Sequence, residues 1–172
     1  KSIAGLLMAG LIADTLNLTS PTTTAIDRNL LEHLSGIAET DASQLASEIF
    51  SVGSPLLTMT PKKAIGADSK LYEEAGHSFA VAQIEELSFA HFAKQQDALL
   101  DALEEQRLKK KLLFSALLVT DINEQTSLLL ARGETQFLST IDYPDKSPFI
   151  WELAGVVSRK KQLLPFLLQC VK

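Results

Sequence analysis

Leu112-Leu113-Phe114-Ser115-Ala116-Leu117-Leu118-Val119-Thr120 is a nearly continuous apolar run, and Thr126-Ser127-Leu128-Leu129-Leu130-Ala131 is a second. Charge flanks the first run and it is too short for a typical buried helix, so it predicts a central strand. Asp121 to Gln125 turns the chain, which places the second run antiparallel beside the first, with Gly133 closing it. Upstream, Lys70 to Tyr72 and Ser78 to Ile84 read as a hairpin joined around Glu73 to His77. There Phe79, Val81 and Gln83 alternate with Ala80, Ala82 and Ile84. From Ser88 a long amphipathic helix is expected to about Leu108, with Phe89, Phe92, Leu99, Leu100 and Leu103 inward and Lys94, Gln95, Asp97 and Glu104 toward water. Downstream come Pro144 and Pro148, a short strand or helix around Phe149 to Val157, and the cluster Ser158-Arg159-Lys160-Lys161-Gln162. A terminal helix follows, with Leu163, Phe166, Leu167 and Val171 inward. Strands interleaved with helices predict an α/β fold, a small mixed β-sheet flanked by helices.

The N-terminal third has a different pattern. Ile3 to Leu18 is apolar nearly all round and reads as a buried helix. Thr22, Thr23 and Thr24 offer cap hydroxyls for a second helix to about Ala38, with Ile26, Leu30, Leu34 and Ile37 on one stripe. Thr40 or Asp41 caps a third through Phe50, with Leu45, Ile49 and Val52 on one side and Gly53 as its stop. Pro55, Pro61, Gly66 and Lys62-Lys63 then break any period, so the stretch reads as a linker with room for a short helical turn. The expected organisation is a helical segment over 1–53, a linker over 54–66 and a sheet domain over 67–172.

The 172 residues are 46% hydrophobic and 22% charged, which excludes disorder, collagen and coiled-coil rod. Sixteen Lys and Arg against twenty-one Asp and Glu leave a net charge of -5. A nucleic acid or an anionic membrane held by bulk electrostatics is therefore not the expected partner, and any basic site must be local. The single Cys170 forms neither an intrachain disulfide nor a zinc cluster, and the cytoplasm is the expected compartment. The run from Ile3 to Ala13 is about half a membrane span, and no small-residue cleavage site follows it. Because the sequence opens on Lys1 rather than Met, it is expected to start inside a longer gene product.

Three features stand above this composition. Asp14 is a carboxylate at the edge of an apolar segment, where such a group is normally capped, paired or metal-bound; the local pattern favours a cap or a salt bridge. Arg159, Lys160 and Lys161 lie in succession at the start of an apolar helix. Such a run is commonly a solvated face, but cations and free N–H groups at a helix N-terminus oppose the macrodipole unless an anion satisfies both. Phosphate is the natural candidate, since Arg binds it bidentately and Lys acts as a point charge. Asp68-Ser69-Lys70 is a third, weaker feature, while His33, His77 and His91 show no metal-ligand spacing.

These residues resemble a known family. Asp14-Thr15-Leu16-Asn17-Leu18-Thr19-Ser20-Pro21-Thr22-Thr23-Thr24 is similar to the end of the catalytic half of family II manganese-dependent inorganic pyrophosphatases, of the DHH phosphoesterase superfamily. Ser158-Arg159-Lys160-Lys161-Gln162 matches the SRKKQ motif of their C-terminal domain. Between them, Asp68-Ser69-Lys70 resembles the family's DxK element, Ala82-Gln83 its A-Q pair and Val119-Thr120-Asp121-Ile122 a strand end. The resemblance implies that Asp14 is a ligand of a catalytic manganese pair, with Mg2+ or Co2+ as other metals. It also implies that Arg159 and Lys160 hold the leaving phosphate and that Lys70 reaches the same substrate across the cleft. Lys161 acquires no role from it.

The substrate implied is pyrophosphate, and a homodimer stays open as an assembly. The family's DHH triad and remaining His and Asp ligands have no counterpart in this chain, so the chain alone is expected to be inactive. Asn17-Leu18-Thr19 stands where many pyrophosphatases carry a bulkier or basic residue, which leaves room for polyphosphate. An exopolyphosphatase, another DHH phosphoesterase, and a non-catalytic phosphate-binding module are the alternatives.

Overall fold

The computed structural model describes residues 1–15, 17–18 and 23–171. The chain divides into two compact units, Lys1–Ser54 and Pro55–Lys172. Among the described residues no helix is long and apolar enough to cross a membrane.

The first unit holds α1 (Ser2–Thr15), α2 (Ala25–Ala38) and α3 (Ala42–Gly53). Helix α1 stops at Thr15, short of the expected Leu18, because Asn17 (φ 52°) and Leu18 (φ 68°) adopt left-handed backbone. Thr24 caps α2 in a reciprocal capping box with Asp27, and Asp41 accepts from Gln44 N to start α3. Thr22 as a cap lies outside the described residues. The unit's core joins Ala4, Met8 and Ile12 of α1 to Leu31 and Leu34 of α2 and Ala46 of α3.

Two expectations need correction here. Helix α1 buries one stripe rather than its whole surface, leaving Ile3, Leu6 and Leu7 exposed. The stripe of α2 that meets the core is Leu31 and Leu34, while Ile26, Leu30 and Ile37 face outward. A three-helix unit offers each helix contacts on one side only, so periodicity finds the apolar residues without saying which are covered.

The second unit begins with α4 (Pro55–Thr58) and α5 (Pro61–Ala67), in the stretch expected to be a linker. Its prolines sit in first helical turns, where the missing N–H is no loss, so they start helices here rather than preventing them. Leu56, Ala64 and Ile65 are buried in the unit's core. Glu86, itself buried, accepts from Leu56 N at 2.9 Å, and the Gln95 amide donates to Leu56 O.

The sheet runs β1 (Ser69–Glu74), β2 (His77–Glu86), β3 (Phe114–Asp121), β4 (Thr126–Gly133), β5 (Asp145–Ser147) and β6 (Ile150–Ala154), in spatial order β1-β2-β3-β4-β6-β5. Among the described residues only β2 and β3 pair in parallel, giving the expected mixed sheet. Their crossover is a 3-10 helix over Phe89–Lys94, capped by Ser88, followed by α6 (Gln96–Lys110) rather than one continuous helix. The β3–β4 turn is set by Asp121 Oδ1, which accepts from the N–H groups of Asn123 and Glu124 at 3.0 Å. One face packs on α4, α5 and α6 through Leu99, Leu103, Leu117 and Leu130. The other packs on a terminal helix, α8 (Leu164–Cys170), through Phe79, Phe114, Leu163 and Leu167. A short α7 (Thr135–Leu138) adds Phe137 to that second layer.

Candidate anion-binding site

The chain leaves β6 at Gly155, whose φ of 72° suits glycine at this reversal, and enters α8 through a π-helical turn over Arg159–Leu163. Two glutamines hold the intervening loop. Gln162 Oε1 accepts from Val157 N and Ser158 N at 3.0 Å each, and its Nε2 donates to Gly155 O at 2.7 Å. Gln83, on β2, donates from Nε2 to Val157 O at 3.0 Å and accepts from Arg159 N at 3.0 Å through Oε1. Behind it, Gln83 Nε2 reaches Thr120 Oγ1 at 3.1 Å. Ser127 Oγ lies 3.0 Å from that hydroxyl and donates to Val156 O at 2.5 Å. Thr120 and Ser127 are fully buried, so the two hydroxyls satisfy one another and the loop together.

This corrects one step of the sequence argument. The N–H groups of Val157, Ser158, Arg159 and Lys161 are taken up by side chains of the protein, the last by Ser158 Oγ at 3.2 Å. No anion is needed to satisfy these four.

Arg159 itself is not part of a solvated face, since its side chain is 11% exposed. Its Nη1 donates to the main-chain carbonyl of Asp68, and Nη2 donates to Asp68 Oδ1 at 3.2 Å. Asp68 Oδ2 lies 3.1 Å from Nη1, and Val81 O lies 3.4 Å from it. The Nε group is buried without a hydrogen-bond partner among the described residues. Lys70 stands opposite Val81 in the β1–β2 register. Residues facing each other across an antiparallel pair share a face, so Lys70 projects on the side of the sheet that carries α8 and Arg159. Lys70 and Lys160 are exposed, and neither forms an ion pair among the described residues. Arg159 and the β1 entry to Lys70 are thus brought together, with Lys160 next in the chain. Lys161 is exposed beside them.

Asp14 lies on α1, exposed. The cap or salt bridge that local pattern favoured is not found among the described residues. Of the motif it heads, Leu16 and Thr19 to Thr22 lie outside the described residues. No group of three or more His, Cys, Asp or Glu side chains able to hold a metal occurs among the described residues. One exposed carboxylate does not make a manganese site, so the described residues do not by themselves fit that ion.

Two functional candidates were legible only as motif letters. Asp68 and Gln83 fall in the DxK and A-Q pairs, but nothing local in the sequence says that both contact Arg159.

The DHHA2 domain family matches residues 47–170. The chain belongs to that family. The DHHA2 match takes in Asp68, Lys70, Gln83, Arg159 and Lys160, and Asp14 precedes it. A "Probable manganese-dependent inorganic pyrophosphatase" of Streptococcus pyogenes serotype M5 (strain Manfredo) is 35% identical over 173 residues, covering 97% of this chain and 54% of that protein. One of the same description from Clostridium acetobutylicum is 30% identical, over 100% of this chain and 56% of its own length. The crystal structure of a Methanococcus jannaschii protein described as a "putative family II inorganic pyrophosphatase" superimposes with a TM-score of 0.63 at 27% identity. That likeness covers 97% of this chain and 54% of the other. The chain spans about half the length of the curated relatives it matches.

Proposed function

We propose that this chain is the C-terminal part of a manganese-dependent hydrolase that splits pyrophosphate into two phosphates in the cytoplasm, and that its DHHA2 domain supplies the cationic clamp. Lys1–Ser54 then belongs to the end of the catalytic domain, where Asp14 contributes one metal ligand and the other ligands come from residues outside this chain. Arg159, Lys160 and Lys70 bind the substrate phosphates and neutralise the charge that grows on the departing one. The ammonium groups of Lys70 and Lys160 are free to approach phosphate oxygens directly. Arg159 keeps a second Nη2 hydrogen outside its bond to Asp68.

The observation that carries this reading is the meeting of Arg159 with Asp68, two residues before Lys70, in a domain whose net-acidic chain has no reason to gather cations for bulk attraction. The names of the relatives favour pyrophosphate as the substrate and manganese as the metal. Activity on pyrophosphate, long-chain polyphosphate and short oligonucleotides, measured on the full-length protein with Mn2+, tests it. Turnover of pyrophosphate foremost is expected, with none by the 172-residue chain alone. Preference for polyphosphate or oligonucleotides assigns the protein to another DHH phosphoesterase activity. Binding of phosphate without turnover of any of the three leaves a non-catalytic module.

A further inference from the structure

We propose that Asp68 is a positioning residue, which holds the Arg159 guanidinium in fixed relation to Lys70 while Gln83 fixes the main-chain end of the same arginine. The inference rests on the phosphate-clamp reading and adds to it the device that orients the clamp. An arginine at the edge of an open site ordinarily samples many rotamers, and ordering it costs conformational entropy each time ligand binds. Here both ends are held before any ligand arrives. Gln83 Oε1 takes the Arg159 N–H at 3.0 Å, and Asp68 takes both terminal nitrogens, one through its main-chain carbonyl and carboxylate and the other through Oδ1. Asp68 also leads directly into β1, so the spacing between Arg159 and Lys70 is set by two covalent steps and the β1–β2 register.

A carboxylate beside an anion site lowers the local positive potential, which is a cost if attraction alone matters. Its presence here is explained by orientation: the planar guanidinium fork is strong only when its plane is correctly set. The buried, unpartnered Nε–H is a consequence of that fixed plane.

Two measurements test this. The first needs no substrate: hydrogen exchange of the Arg159 Nε–H in the full-length protein, followed by NMR and assigned by its loss in Arg159→Lys. Asp68→Ala is expected to speed exchange at least about tenfold, and Asp68→Asn, which keeps an Oδ1 acceptor, to restore part of the protection. Unchanged exchange in Asp68→Ala overturns the proposal. The second is a double-mutant cycle in the full-length protein on pyrophosphate. Asp68→Ala is expected to lower kcat/KM about tenfold in the wild-type background and to cost nothing further in Arg159→Ala. Losses that add across the two backgrounds, or no loss at all, contradict it. A wild-type protein that fails to hydrolyse pyrophosphate removes the clamp reading, and the exchange measurement still decides whether Asp68 orients Arg159.

Discussion

Arg159 donates to both the main-chain carbonyl and the carboxylate of Asp68, across 91 residues of chain. This pair joins the turn before the last helix to the residue that leads into the first strand of the sheet, and its partners fall in two of the motifs that carry the resemblance, SRKKQ and DxK. Closing so long a loop makes the site a product of the whole domain rather than of any segment.

Lys70 and Lys160 are exposed and unpaired among the described residues, so replacing either by Ala should leave stability within about 0.5 kcal/mol. If each makes one charge-assisted contact with phosphate, the KM for pyrophosphate should rise roughly tenfold, and more steeply at low salt. Steady-state kinetics at two ionic strengths, beside a urea melt, check both halves.

Ser127→Ala removes the hydroxyl that satisfies Val156 O and neighbours Thr120 Oγ1 in a buried setting. A loss of about 1–3 kcal/mol is expected in urea unfolding, because an acceptor is left without its donor inside the core.

Glu104 has its carboxyl pKa lowered from the ordinary 4.5, first by its hydrogen bond to Arg107, against a smaller opposing effect of burial. A depressed carboxyl stabilises the fold above its unfolded value, and that contribution is lost as pH falls through the folded value. Both side chains are partly exposed, so the effect is under about 1 kcal/mol. The stability gap between wild type and Glu104→Gln should therefore be present at pH 7 and close below pH 4.5. Urea unfolding at the two pH values checks the sign.

Ile65, in the stretch that reads as a linker, is buried against the sheet. Ile65→Ala should cost about 2–5 kcal/mol, measured by thermal or urea unfolding, whereas a linker position would tolerate it.

How much of this was legible in the sequence follows from the range of the forces involved. The β3–β4 pair could be read because Asp121 to Gln125 and two flanking apolar runs act locally. The parallel pairing of β2 with β3 could be reached only through the interleaving of strands and helices. Pro55 and Pro61 left only a short helical turn legible, because the same residue that breaks a helix inside starts one at its first turn. The outward faces of α1 and α2 escaped because an apolar stripe reports a preference for burial, not the presence of a neighbour. At the site, the cations were visible as a run. The burial of Arg159 was not, since its acceptor lies far off in the sequence and its main-chain partner is a glutamine amide.

The most direct test of the account is pyrophosphate hydrolysis by the full-length protein carrying Arg159→Ala. The account predicts a fall in kcat of about 10²-fold or more with the fold retained. Turnover near that of the wild type would contradict it.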